Sequence, residues 1–265
     1  MPNQQHQPPE RSAGDPEAVP GRSDESRQSN RRARLLTAGF SLRRHVGVFA
    51  TAALAATGTG VWLLGRVHFR DLWIVPAYLL VANVVEYGVH RLLMHRPLPL
   101  RALYKGHTLG HHRAFRHDSM EIASARELEL VMMPWYTVAL YFTALGPVVA
   151  LVVWAFGRGA GGLLLLTGAS TFVLYEGMHA LYHLPASTLE RLRLDGSRLF
   201  GVLYRHHRHH HRLTRMRWVN FNISCPLTDR LLGTLEDEQA WQWERQRRGA
   251  PQDPEAAEPP RRSTG

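Results

Sequence analysis

LWIVPAYLLVANVVEYGVHRLLMH, residues 72–95, carries no charge before Glu86 and ends on two histidines, His90 and His95. Two properties meet in it. The apolar run is long enough to cross a hydrocarbon core about 30 Å thick, which takes roughly 20 helical residues. One end of that run presents metal-ligating side chains. Three further apolar blocks have comparable length: HVGVFATAALAATGTGVWLLG (45–65), LVMMPWYTVALYFTALGPVVALVVWAF (130–156) and GLLLLTGASTFVLYEGMHALYH (162–183). Only helices or closed barrels satisfy their backbone inside lipid, and continuous apolar runs point to helices. The plainer alternative, four buried helices of a soluble bundle, fits the lengths less well. Gly146-Pro147 predicts a kink or tilt in the third block.

Short connections, RVHFRD (66–71) and GRGAG (157–161), pair the four helices into two hairpins and must lie on one side of the membrane. The N-terminal tail, the 96–129 segment and everything after residue 183 then lie on the other. The short connections hold three basic residues, Arg66, Arg70 and Arg158, so 29 of the 32 Lys and Arg (32 − 3) lie on the opposite side or at its border. That asymmetry assigns the basic side, both termini included, to the cytoplasm. The formal charge of +10 is thereby explained by topology, with attraction to anionic headgroups adding to it. No nucleic-acid-binding motif accompanies the charge. Lys105 is the only lysine, and the only cysteine is Cys225, which excludes a disulfide framework and a cysteine-based zinc site.

Residues 1–30 lack aromatics and almost all large aliphatics, so they bury too little surface to offset ordering entropy. No secretory signal starts at Met1. The expected organisation is a disordered basic tail over 1–44, a membrane domain over 45–240 and a second disordered tail over 241–265. The fold expected is all-α: an integral membrane four-helix bundle of two transmembrane hairpins, with a cytoplasmic helical cap. A bacterial cell membrane is the expected location.

Of 16 histidines, His6, His45 and His68 look incidental, and His117 is ambiguous. The other twelve fall into four groups on the cytoplasmic side: His90 and His95; His107, His111 and His112; His179 and His183; and five within YRHHRHHHR, Tyr204–Arg212. His179 and His183 are four apart and share a helix face. So do His107 and His111, with His112 turned by about 100°. His207, His210 and His211, spaced 3 and 4, read as one face; His206, His209 and His210 are the competing register. His90 and His95, five apart, are about 140° apart on an α-helix, so they reach two metals or need a local distortion to reach one. Imidazole suits iron, zinc or copper, and about ten imidazoles suffice for two ions.

Glu86 lies four residues before His90 and Glu176 three before His179, each inside an apolar helix. A carboxylate there is costly and marks a functional candidate. Accepting a ligand's free ring N–H is one role, direct ligation another, and a structural hydrogen bond the bland one.

With HRLLMH, HTLGHH, HALYH and HRHHH, followed by NFNISCPLTDRLLGTL (220–235), the sequence resembles the fatty acid hydroxylase and sterol desaturase superfamily of integral-membrane di-iron oxygenases over roughly residues 72–237. The resemblance implies two irons held by His90, His95, His107, His111, His112, His179, His183, His207, His210 and His211, with His206 and His209 as outer residues. The second box has three intervening residues where two are commoner. The resemblance further implies O2 as co-substrate, a lipid drawn from the bilayer as substrate, hydroxylation in preference to desaturation, and electrons from a separate ferredoxin- or cytochrome-type donor, since the chain shows no cytochrome b5-like part. Tyr87, Tyr175 and Met178 are candidate pocket residues. The alternatives are a sterol or carotenoid modifier of the same fold, a non-catalytic zinc-binding membrane protein, and a metal transporter. The transporter would need polar residues through the mid-membrane, where few are found.

Overall fold

The computed structural model describes residues 22–97 and 101–237. The described residues form helices and turns, with no strand beyond an isolated bridge between Arg116 and Ser119. In chain order these are α1 (Arg22–Leu35), α2 (Leu42–Leu64), a 3₁₀ turn (Phe69–Trp73), α3 (Ile74–Gly88) and a π-helical turn (Val89–Met94). There follow α4 (Arg101–Tyr104), a second π-helical segment (Lys105–His111), α5 (His112–Ala114) and a 3₁₀ turn (Ala125–Leu130). The long helices α6 (Tyr136–Phe156) and α7 (Arg158–Leu181) precede α8 (Ala186–Arg191), α9 (Arg198–His210) and α10 (Leu227–Leu231).

Met1–Arg34 is a unit apart from Leu35–Gly265. The first unit holds almost all of α1, where an irregular tail was expected through residue 44. Five of its 14 residues are arginine, a straight-chain residue that loses little rotamer freedom on becoming helical. Residues 1–21 of the expected N-terminal tail and the whole expected C-terminal tail, 241–265, lie outside the described residues. In the second unit α2 starts at Leu42, where the Ser41 hydroxyl accepts the Arg44 N–H at 3.4 Å.

Among the described residues, three helical stretches are long and apolar enough to cross a membrane: Leu42–Leu64, Phe69–Met94 and Tyr136–Phe156. Their outer faces leave large apolar side chains exposed, among them Leu54, Trp62, Val81, Leu140, Leu151 and Trp154, the last at 84%. So much apolar surface is foreign to a water-soluble monomer and natural against lipid. The fourth expected span, α7, is not among the three, because Gly, Thr, Glu and His dilute its apolar content. It is the helix against which α2, α3 and α6 pack. Small residues make this possible. A Cβ on Gly162 would lie 2.8 Å from the Gly60 carbonyl oxygen and the Leu64 nitrogen of α2, so the two backbones meet only because that atom is missing. Tyr141 Oη on α6 donates to the Gly168 carbonyl of α7 at 2.8 Å and meets Tyr78 Oη of α3 at 2.5 Å.

α6 runs through Pro147 as a single helix, and it begins at Tyr136, six residues later than the apolar block. The α6–α7 connection is one residue, Gly157 at φ +93°, tighter than the expected 157–161. These joints bring the histidine ends of α3 and α7 together with the π-helical segment and α9.

Candidate metal centre

Ten buried histidines gather into two groups of five. His90, His95, His107, His112 and His210 form the first, and His111, His179, His183, His207 and His211 the second. Within each group the facing ring nitrogens all lie within 4.8 Å of one another. These are the ten residues that the resemblance implies. His206 and His209 turn away from both groups. His206 Nε2 meets the Asn222 carbonyl at 3.0 Å and Asp229 Oδ2 at 3.5 Å, and His209 Nε2 lies 3.6 Å from Glu236 Oε2. His45 stacks on Phe49, His68 pairs with Asp71 and His117 with Arg212, all outside the groups. His6 lies outside the described residues.

The grouping departs from α-helical spacing. His107 joins His112 and not His111, and His90 joins His95. Both pairs are five apart and both lie where the chain is π-helical, with i→i+5 hydrogen bonding that brings residues five apart to nearly the same face. The α-helical expectation of His107 and His111 on one face is therefore corrected. The triplet of α9 is corrected too: His207 and His211, four apart, enter the second group, while His210 enters the first. Two dipeptides thus straddle the groups, His111-His112 and His210-His211. Successive helical residues differ in direction by about 100°, so each dipeptide feeds both groups and holds them side by side. The His112 and His211 rings lie 4.4 Å apart, centroid to centroid.

The outward nitrogens decide the tautomers. Nδ1 of His111 donates to Leu130 O (2.8 Å), that of His183 to Met120 O (2.8 Å), that of His210 to Val219 O (2.8 Å) and that of His211 to Phe115 O (2.6 Å). His90 Nδ1 donates to Phe221 O. His95 Nδ1 donates to Thr108 Oγ1 at 3.1 Å, because that hydroxyl spends its own proton on Met94 O at 2.7 Å. A carbonyl accepts only, so each of these rings holds its proton at Nδ1 and points an Nε2 lone pair inward.

Those lone pairs face one another. His210 Nε2 lies 3.1 Å from His90 Nε2 and 3.0 Å from His95 Nε2, and His111 Nε2 lies 3.2 Å from His211 Nε2. Two acceptors at such distances repel unless a cation lies between them. Nitrogens bound at right angles to one ion at about 2.1 Å stand about 3.0 Å apart, so the donor set fits a metal in each group. Protonation is the other remedy, and burial opposes it. Desolvation, with neighbouring imidazoles adding to it, holds His107, His112, His207, His210 and His211 well below the ordinary imidazole value. It holds His111 at about 4 and His95 at about 2.

Each group draws its backbone acceptors from a different segment. Val219 and Phe221 serve His210 and His90 of the first, while Phe115, Met120 and Leu130 serve His211, His183 and His111 of the second. The 219–222 segment is itself tightly held. Asp229 accepts the N–H groups of Phe221 (2.9 Å) and Asn222 (2.7 Å) and the Thr234 hydroxyl (2.7 Å). Asn220, at φ +59°, donates its amide to His206 O and Glu236 O.

Neither Glu86 nor Glu176 hydrogen-bonds a histidine ring of the two groups. Glu86 accepts the Ile223 N–H, the Ser224 N–H (3.1 Å) and the Ser224 hydroxyl (2.7 Å), and the acceptor for His90 is the Phe221 carbonyl instead. Glu176 accepts Met133 N–H at 3.2 Å through one oxygen, and its Oε1 has no partner among the described residues. The pocket candidates are packing residues: Tyr87 lies edge-on to Phe221, and Tyr175 and Met178 pack around Tyr182, Phe200 and Ile223. Thr108 and the five carbonyls had no signature in the sequence, apart from the NFNISCPLTDRLLGTL stretch that carries two of them.

The sequence model of the fatty acid hydroxylase family matches residues 75–234, more than half of the chain. The chain belongs to the fatty acid hydroxylase family. No curated protein and no solved structure matches it. The matched region runs from the start of α3 to Thr234 and so takes in all ten histidines, both carbonyl-bearing segments and Asp229. Membership makes the chain a member of a membrane oxidoreductase family, and the two histidine groups are compatible with a pair of metal ions.

Proposed function

We propose that this chain is a membrane-bound di-iron oxygenase that hydroxylates an unactivated C–H bond of a lipid or fatty acyl chain, using O2 and electrons from a separate ferredoxin- or cytochrome-type donor. His90, His95, His107, His112 and His210 hold one ion, and His111, His179, His183, His207 and His211 the other. The observation that carries the reading is the pair of five-histidine groups, with Nε2 lone pairs converging at about 3 Å and the Nδ1 protons of six of the ten rings committed outward. Two irons held there supply the activation of O2 that C–H oxidation requires.

The chain's own residues do the rest. The carbonyls of Phe115, Met120, Leu130, Val219 and Phe221, with the Thr108 hydroxyl, fix ring orientation and make the imidazoles more basic ligands. Near-complete burial of the ten rings keeps bulk water from the oxidising centre. Glu86 acts as a positioning residue for the 223–224 backbone. The chain crosses the membrane four times, as two hairpins, with both termini and the histidine cap in the cytoplasm. There a soluble or membrane-bound donor reaches the centre, while an apolar substrate enters from the bilayer.

The test is elemental analysis of purified protein beside His111→Ala and His210→Ala. Wild type holds about two irons per chain, and each variant loses one, from the second and first group respectively. Lipid analysis of an expressing cell then reveals an oxygenated product that is missing from both variants. Stoichiometric zinc with no lipid oxidation supports the non-catalytic alternative. Folded wild-type protein without stoichiometric metal refutes the proposal.

A further inference from the structure

The segment after the last histidine pair can be ranked in depth against α3 by its hydrogen bonds. Phe221 O bonds His90, and Ile223 N and Ser224 N bond Glu86. The Cys225 carbonyl accepts from Asn83 Nδ2 at 2.7 Å, and Thr228 donates to Asn83 Oδ1 through N–H (3.0 Å) and hydroxyl (2.7 Å). Thr234 then stands opposite Tyr87, hydroxyl to hydroxyl at 3.4 Å. From Phe221 to Cys225 the side-chain partners on α3 run from His90 through Glu86 to Asn83, with Asn222 Nδ2 also reaching the Asn83 carbonyl at 2.9 Å, and Thr234 returns to Tyr87. The segment therefore descends along α3 for about two turns, roughly 10 Å at 1.5 Å per residue, reverses near Pro226 and climbs again.

The depth reached follows from the length of the span. Phe69–Met94 has 26 residues, roughly 39 Å of helix against about 30 Å of hydrocarbon. Asn83 is eleven residues from the Met94 end, roughly 16 Å. Even if all the surplus, about 9 Å, protruded at the histidine end, Asn83 would lie several ångström inside the hydrocarbon. The side chains at the tip suit that depth. Cys225, Leu227, Leu231 and Leu232 are exposed, Leu231 at 73%, and α10 packs against α3, whose Leu80, Val81 and Val84 are exposed as well. Irregular backbone at membrane depth persists only where protein satisfies its polar groups. Here Asn83, Glu86 and Asp229 supply those partners, which accounts for two costly polar residues in an apolar helix. Arg230 is exposed beside Leu231, and a guanidinium on a long stem extends to the headgroups.

We infer that residues 221–234 form a re-entrant segment that dips into the bilayer beside α3, with Cys225, Leu227 and Leu231 seated among the acyl chains. The surface is thus a lipid contact and not a docking face for a soluble partner. The inference rests on α3 spanning the membrane.

The chain's single cysteine makes the test direct. Cys225 is labelled with an environment-sensitive NBD fluorophore, and the protein is reconstituted in nanodiscs of phosphatidylcholine and phosphatidylglycerol. Leu231→Cys is labelled in a Cys225→Ser background, with Val81→Cys on α3 and Ser187→Cys on α8 as references. At 225 and 231, lipid-borne doxyl groups quench the fluorophore and aqueous iodide loses the quenching it has at 187, as at 81. Iodide quenching at 225 and 231 like that at 187, with 81 protected, overturns the inference alone. Iodide quenching at 81 as well overturns the membrane reading of α3 and this inference with it.

Discussion

Thr108→Val removes one hydroxyl from the first histidine group and keeps the branched shape of the side chain. Thr108 is buried, 3% exposed, and its Oγ1 serves two partners: it accepts the His95 Nδ1 proton at 3.1 Å and donates to Met94 O at 2.7 Å. Valine leaves that ring N–H buried without an acceptor, at a cost of about 1–3 kcal/mol. Part of the cost appears as a ring that swings away from its ligating orientation. Loss of a partner behind a metal-bound imidazole typically lowers metal affinity 10–100-fold, or about 1.4–2.7 kcal/mol. The effect is confined to one ion, because the acceptors of the second group are carbonyls on the 115–130 segment. Competition with a graded series of chelators reads the outcome. One of the two ions per chain becomes 10–100-fold easier to remove, the other is unchanged, and Thr108→Ser restores both. Equal weakening of the two ions, or no change in either, refutes the assignment of separate supports to the two groups.

Two further outcomes are expected. His207→Ala removes one ion and all turnover, whereas His206→Ala keeps both ions and costs mainly stability, about 1–3 kcal/mol from the acceptors left unmet at Asn222 O and Asp229; metal content and thermal unfolding separate the two, and the reverse order refutes the register. Thermal stability and metal retention are constant above about pH 7 and fall as pH drops below about 6.5, by up to about 1.4 kcal/mol per histidine per pH unit. The sign follows from lowered values such as about 4 at His111: between 6.5 and the folded value only the unfolded chain takes up the proton. A pH series of unfolding curves that is flat from 7 to 5 contradicts it.

Much of the centre was legible because the side chains that gather there are of one unusual type. All ten histidines of the two groups were named from type, spacing and resemblance, and the apolar stretches from 45 to 65, 72 to 95 and 130 to 156 overlap the three membrane-length helices. The glutamates show the limit of such reading. Glu86 was recognised as costly, yet its partners are backbone N–H groups at 223 and 224, more than 130 residues away in sequence. α7 shows another limit: it read as a fourth span like the other three, while in the fold its glycines are the surface on which α2 and α6 pack.

By itself the sequence determined that this is a helical membrane chain with a histidine-lined end, since hydrophobic length and imidazole chemistry are local properties. Only the tertiary structure decided how the histidines divide. Spacings of five at His90–His95 and His107–His112 bring both members into one group because the chain winds as a π-helix there, and the backbone pays for that winding through packing that no local propensity encodes. The orientation of the rings was equally out of reach. Their partners are the carbonyls of Phe115, Met120, Leu130, Val219 and Phe221, and every residue has a carbonyl, so only the folded chain selects which ones meet a ring.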